Sequence, residues 1–308
     1  MKKQLSKYAV LLYLGITVLV FLVIAITDFV TELVVPGVSL RLFINFIAAL
    51  FLSLIISAGV TIFNPILADA MVTLRRMLRT ESLSNPLLVR LSSEAPGTYH
   101  HSMNVSNLAQ KAARSIGADS LLVRTAAYYH DLGKLDNPTA YVENQSGIEV
   151  PTSEDADSIR KHAAIIISHV DNGLRIATEA NLPQDIIDMI KEHHGTTKAL
   201  YFYTLAKERK LKIKKTDFSY KGPTPSTKES AILMLADCVE ATARATSDLT
   251  PEKIHQIVEA SVADRIADKQ FRKSHLTESD LNKVKISLKE TLLSIYHQRI
   301  EYKRHDQN

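Results

Sequence analysis

The sequence holds a single cysteine, Cys238, in 308 residues. That excludes an internal disulfide framework and fits a reducing environment for the part of the chain that carries it. Glycine is sparse, at 10 residues, and there is no low-complexity tract and no internal repeat, so a repeat array is excluded. No charge of one sign dominates. The 37 Lys and Arg against 33 Asp and Glu leave a formal net charge of +4. The pI of about 8.9 is mildly basic, and neither figure points to duplex nucleic acid as a partner. Strand-like alternation is absent over any useful length after Ala95. The mean hydropathy of −0.00 averages two unlike parts, an apolar N-terminus and a charged remainder.

The apolar part comes first. Tyr8 to Thr27 is an uncharged run of about 20 residues, long enough to cross a bilayer as a helix. Asp28, Glu32 and the turn Pro36-Gly37 follow, and a second run extends from about Leu42 to Phe63. Buried core helices would carry a polar face over such a length. A cleaved signal peptide would show a small-residue cleavage site, and a second span would not follow so soon. Lys2, Lys3 and Lys7 precede the first run and Arg75, Arg76 and Arg79 follow the second, so the positive-inside rule places both termini in the cytoplasm. The expectation is a two-pass anchor at residues 1–64 in the inner or plasma membrane. Residues 65–94 are read as an amphipathic linker, interrupted at Asn85-Pro86, that lies on anionic headgroups or pairs with a second copy in a homodimer.

Residues 95–308 read as all-α. Thr98 caps a helix that ends at Gly117, with Val105, Leu108, Ala109 and Ala112 on its apolar face. Asp119 or Ser120 caps the next, which ends in His130-Asp131 before Gly133. A helix from about Asp155 to Asn172 ends at Gly173, and Pro183 opens one that ends in His193-His194-Gly195. Lys207 to Lys221 is a basic exposed loop. Thr227 to Thr246 and the helices begun by Thr250-Pro251 and Thr277 complete the chain.

Imidazoles and carboxylates recur at helix ends and in apolar helices. Asp237 sits inside an otherwise apolar run, where an unpaired carboxylate would cost several kcal/mol. His101, His130, Asp131, His169, His193, His194 and Asp237 are all residues of metal-ligand type. Spacing alone does not separate His101 from His100, or His169 from His162. A carboxylate has two oxygens, so Asp131 is the best bridge. Two divalent ions about 3.5–4 Å apart hold one water or hydroxide between them as a nucleophile for a phosphate ester. Mixed imidazole and carboxylate donors suit manganese, iron or zinc better than magnesium alone. Lys134 is placed to touch phosphate or the leaving oxygen, or is a surface lysine after a helix end.

The ordered motifs Glu94-Ala-Pro-Gly-Thr-Tyr-His-His-Ser, Ala127-Tyr-Tyr-His-Asp-Leu-Gly-Lys, Ile167-Ser-His-Val, His193-His-Gly-Thr-Thr and Met234-Leu-Ala-Asp-Cys-Val-Glu-Ala resemble the HD-domain metal-dependent phosphohydrolases, and within them the PgpH-type membrane phosphodiesterases. The resemblance implies a helical bundle that hydrolyses cyclic di-AMP to pApA with two divalent metal ions, Mn²⁺ or Fe²⁺. It implies that His101, His130, Asp131 and Asp237 hold one ion and that Asp131, His169, His193 and His194 hold the other. It decides for His101 and His169, and places Lys134 beside Asp131 in the catalytic group. Such relatives carry an external domain and seven spans, whereas this sequence has two spans before its linker and no room for an external sensor. Tyr99, Tyr220, Gly222 and Arg244 are candidate substrate contacts, through adenine stacking and phosphate pairing. Action on a linear dinucleotide or another nucleotide, or a metal site without catalysis, are the competing readings.

Overall fold

The computed structural model describes residues 80–145 and 156–296, together with scattered positions between 15 and 59. The chain divides into two compact units, Met1–Leu78 and Arg79–Asn308. Most of both apolar runs, and residues 65–79 of the linker, lie outside the described residues. In the first unit residues 45–57 are helical, and Phe51 and Ile55 are 63% and 67% exposed. Among the described residues no helix is long and apolar enough to cross a membrane.

The second unit is helical. Its named elements are α1 (Pro86–Glu94), α2 (Pro96–Ser115), α3 (Ser120–Tyr129), α4 (Ala156–Glu179), α5 (Gln184–Glu192), α6 (Leu200–Glu208), α7 (Lys228–Ala245), α8 (Pro251–Ala267) and α9 (Glu278–Tyr296). Among the described residues the only strand-type pairing is an isolated bridge between Lys198 and Ser219. The helix starts follow local chemistry. Asp119 accepts from the Leu121 and Leu122 amides, Thr227 from Ser230 and Thr250 from Lys253, each relieving amides that the first turn leaves unpaired.

α2 is the central helix and packs against α1, α3, α7 and α9. Val105, Leu108, Ala109 and Ala112 of α2 meet Val123 and Ala126 of α3, Leu233 and Val239 of α7, and Leu288 of α9, all fully buried. The small side chains of α2 let its neighbours approach closely, which brings His101 and Asp237 within reach of each other.

Three readings of the sequence differ in the structure. Residues 80–94 do not continue the linker. They fall in the second unit, and Asn85 caps α1 by accepting from the Leu87 amide at 3.0 Å while Leu88 and Leu91 enter the core at 0% exposure. Leu91→Ala is therefore expected to lower stability by roughly 2–5 kcal/mol in denaturant unfolding. A loss below about 1 kcal/mol would place α1 outside the cooperative unit. Second, Gly173 does not end its helix, because α4 runs on to Glu179. The basic stretch after α6 is also not wholly exposed: Phe218 is fully buried in a satellite cluster with Ile159, Ala163 and Ala206.

Candidate metal centre

Five helix segments converge on one buried cluster. His101 comes from the second turn of α2, His130 and Asp131 follow α3, His169 comes from α4, His193 and His194 follow α5, and Asp237 lies in mid-α7. Their donor atoms form two groups, His101, His130 and Asp237 in one and His169, His193 and His194 in the other, each within 4.8 Å. Asp131 lies between them. Its Oδ2 is 3.3 Å from His130 Nε2 and 3.6 Å from His101 Nε2, while its Oδ1 is 3.4 Å from His169 Nε2 and 4.0 Å from His193 Nε2. Asp237 leans to the first group, with Oδ1 3.0 Å from His101 Nε2, and reaches the second only through Oδ2, 3.7 Å from His194 Nδ1.

The imidazoles are oriented by their far nitrogens. The Nδ1–H groups of His130, His169 and His193 donate to the carbonyls of Ala127, Ile166 and Ile190 at 2.7, 2.6 and 2.6 Å, three residues back along the chain. Each Nε2 is thereby turned toward the centre, where those of His169 and His193 lie 3.2 Å apart. His101 differs, because its Nδ1–H donates to the carboxylate of Glu240. Glu240 is 1% exposed and also accepts from Asn104 Nδ2 at 3.2 Å. Glu240 was missed in the sequence, yet it follows Asp237 by three residues and so shares its face of α7.

The two halves of the cluster differ electrostatically. Burial opposes charge on His130, but Asp131 and Asp237 outweigh it and push its pKa up to about 10. Burial, reinforced by the neighbouring His130 and His169, pushes His193 down to about 3. Burial likewise holds His194 well below the ordinary imidazole range. One half thus draws a cation between carboxylates, and the other offers neutral imidazoles. His130 Nε2 is buried without a hydrogen-bond partner. An unfilled buried donor atom facing two carboxylates and further imidazoles fits divalent metal ions as the missing partners.

Lys134 closes one side. Its ammonium lies 2.8 Å from Asp131 Oδ2 and 2.6 Å from Glu143 Oε1. Glu143 is held in turn by the start of α2, where Thr98 Oγ1 donates to it at 3.3 Å and the Thr98 amide donates to Asn144 at 3.0 Å. A cavity of about 590 Å³ opens on the cluster. Of the expected substrate contacts, Tyr220 and Arg244 line it, and Tyr220 stacks on His194 at 4.2 Å. Tyr99 and Gly222 do not line this cavity. Tyr99 packs on the core, and Gly222 borders a separate small pocket behind His194. His162 is left apart, donating to the Ser158 carbonyl and stacked on Phe202.

Residues 98–242, which span this cluster from His101 to Asp237, match the HD domain family. The solved HD domain of the phosphodiesterase PgpH from L. monocytogenes superposes with a TM-score of 0.65 at 42% identity, covering 70% of this chain and 100% of that one. This chain belongs to the HD-domain family. A second structure of the same Listeria domain, in complex with cyclic-di-AMP, matches at 43% identity with the same TM-score of 0.65. In sequence the chain is 42% identical to the cyclic-di-AMP phosphodiesterase PgpH of Listeria monocytogenes serotype 1/2a (strain 10403S), over 75% of this chain and 32% of the relative. It is 40% identical to the protein of that name from Bacillus subtilis (strain 168), over 74% of this chain and 32% of the relative. The HD-domain chain thus spans about a third of the length of these curated relatives.

Proposed function

We propose that this chain is a metal-dependent phosphodiesterase that hydrolyses a cyclic dinucleotide, cyclic di-AMP, to the linear pApA. The observation that carries the reading is Asp131, one buried carboxylate with an oxygen turned to each of two imidazole groups. The likeness to a domain solved with cyclic-di-AMP supports the substrate. His101, His130, Asp131 and Asp237 would hold one divalent ion, and Asp131, His169, His193 and His194 the other, with Mn²⁺ or Fe²⁺ suited to these donors. When bound, the ions supply positive charge that acidifies water and offsets charge developing on phosphate oxygens.

The chain's own residues do the rest. Lys134, held by Glu143, keeps the Asp131 carboxylate ionised and aimed, and Tyr220 packs His194 in place. Hydrolysis adds water across the bond from phosphorus to the 3′ oxygen, leaving a 5′ phosphate and a 3′ hydroxyl. The exposed apolar side chains of residues 45–57 and the uncharged runs around them support a membrane hairpin with the HD domain on the cytoplasmic side.

The test is purified full chain, loaded with Mn²⁺ and given cyclic di-AMP, cyclic di-GMP and pApA in parallel. Release of pApA from the first, well ahead of the other two, is expected. No turnover of any of them by chain carrying about two ions would end the proposal. Glu240→Gln is expected to weaken Mn²⁺ binding by about 10–100-fold, read by metal titration. An unchanged affinity would mean that the His101 ring needs no carboxylate behind it.

A further inference from the structure

Four cationic side chains line the cavity beside the metal-ligand cluster: Lys134, Lys198, Arg244 and Arg265. Three are already engaged. Lys134 is paired with Asp131 and Glu143. Arg244 lies 3.6 Å from Glu240 and 3.9 Å from Glu143. Lys198 sits over the Tyr203 ring, 5.0 Å from its centre. Arg265 of α8 is different. Its side-chain partner among the described residues is a cysteine and not a carboxylate: one Nη donates to Cys238 Sγ at 3.1 Å. Its Nε is buried with no hydrogen-bond partner.

A guanidinium has five donors and a charge that costs free energy to withdraw from water unpaired. Its natural complement is a phosphate, taken up by two parallel hydrogen bonds. Cys238 follows Asp237 directly on α7, so the Arg265 guanidinium stands next to the metal-ligand cluster without belonging to it. A cyclic dinucleotide is a closed ring with two phosphodiesters, each bearing one negative charge. When one phosphodiester faces Asp131, the other has to be met elsewhere along the cavity wall.

We propose that Arg265 receives the second phosphodiester, the one that is not hydrolysed, and so selects two-phosphate ring substrates over simple phosphodiesters. This rests on the reading given under Proposed function.

The experiment uses full chain loaded with Mn²⁺ and two substrates, cyclic di-AMP and bis(p-nitrophenyl) phosphate, which has one phosphate. For Arg265→Gln, KM for cyclic di-AMP is expected to rise about tenfold or more. Its kcat should stay within about threefold, and both constants for the one-phosphate substrate should be unchanged. Arg265→Lys, which keeps the charge and loses the fork, should fall between. Equal losses on both substrates, or no change in KM for cyclic di-AMP, would overturn the assignment. Should Arg265→Gln unfold, the Arg265→Lys ratio between the two substrates decides in the same way. Wild-type chain that cleaves the one-phosphate substrate and leaves cyclic di-AMP intact would instead overturn the substrate reading, and the role of Arg265 with it.

Discussion

Asp131→Asn is expected to remove hydrolysis by at least about 10³-fold, roughly 4 kcal/mol of transition-state stabilisation, and to strip bound metal from both halves of the centre. Asparagine keeps the shape of the side chain and loses its charge. Whichever oxygen becomes the amide nitrogen, one half of the cluster then faces an N–H₂ donor in place of an acceptor, and the other half keeps only a neutral carbonyl. Asp237→Asn is the informative comparison. Asp237 approaches His101 at 3.0 Å but reaches the second group only at 3.7 Å through His194, so its variant should lose the first ion and retain the second. Metal analysis and turnover on the same preparations check both statements. Retention of two ions by Asp131→Asn and of one by Asp237→Asn would be incompatible with Asp131 as the shared ligand.

The same substitution also acts on the fold. Asp131 is buried, and its pKa is held well below the carboxylate range: burial alone would raise it, but Lys134 and His130 beside it outweigh burial. Breaking a buried ion pair costs about 3–5 kcal/mol when the remaining charge is left alone. Here Glu143 stays 2.6 Å from the Lys134 ammonium, so the loss should fall below that range and the variant should remain folded. Circular dichroism and a melting curve separate loss of the site from loss of the protein.

How much of this was legible in the sequence follows from the range of each interaction. Caps at Asp119, Thr227 and Thr250 act within three residues, so a reader of the chain sees them. The seven candidate ligands stood out because imidazoles and a carboxylate in apolar helices need partners, and the structure gathers all seven. The resemblance, not the spacing, preferred His101 and His169, and those two are the histidines brought into the cluster, with His162 directed to Phe202 instead. Arg265 was not legible. It lies 28 residues along the chain from Asp237, on another helix, and only packing places its guanidinium at the Cys238 thiol. Tyr99 reads as a stacking platform because it is an aromatic near a ligand, whereas in the structure it is half-buried against the core. Gly173 misled because glycine after a helical pattern reads as a terminator. In the structure it lies inside α4 at the point where Gly133 comes closest, and it is Gly133 that leaves room.

That room gives the second large expectation. Gly133→Ala is expected to destabilise the domain by about 3 kcal/mol or more and, where the protein still folds, to lower turnover by roughly 10²-fold or more. A β-carbon at Gly133 would lie 1.8 Å from the His169 carbonyl oxygen, 2.5 Å from the Gly173 amide nitrogen and 2.7 Å from the His169 carbonyl carbon. All three are backbone atoms of α4, so no rotamer change relieves the clash. The helix itself has to retreat, and it carries His169 away from Asp131. The two ligands are held together by a backbone-to-backbone approach that only hydrogen permits. Gly173→Ala makes the opposite case. Its β-carbon would stand 3.3 Å from both the Gly133 amide nitrogen and Ile190 Cγ2, which a few tenths of an ångström of movement absorb. Alanine inside a helix also gains about 1 kcal/mol over glycine. The net change at Gly173 should therefore stay within about 1 kcal/mol, with turnover nearly intact. Urea unfolding and Mn²⁺ titration of the two variants side by side decide the matter. Equal effects at the two glycines would show that the clearance between Gly133 and α4 does not hold Asp131 and His169 in register.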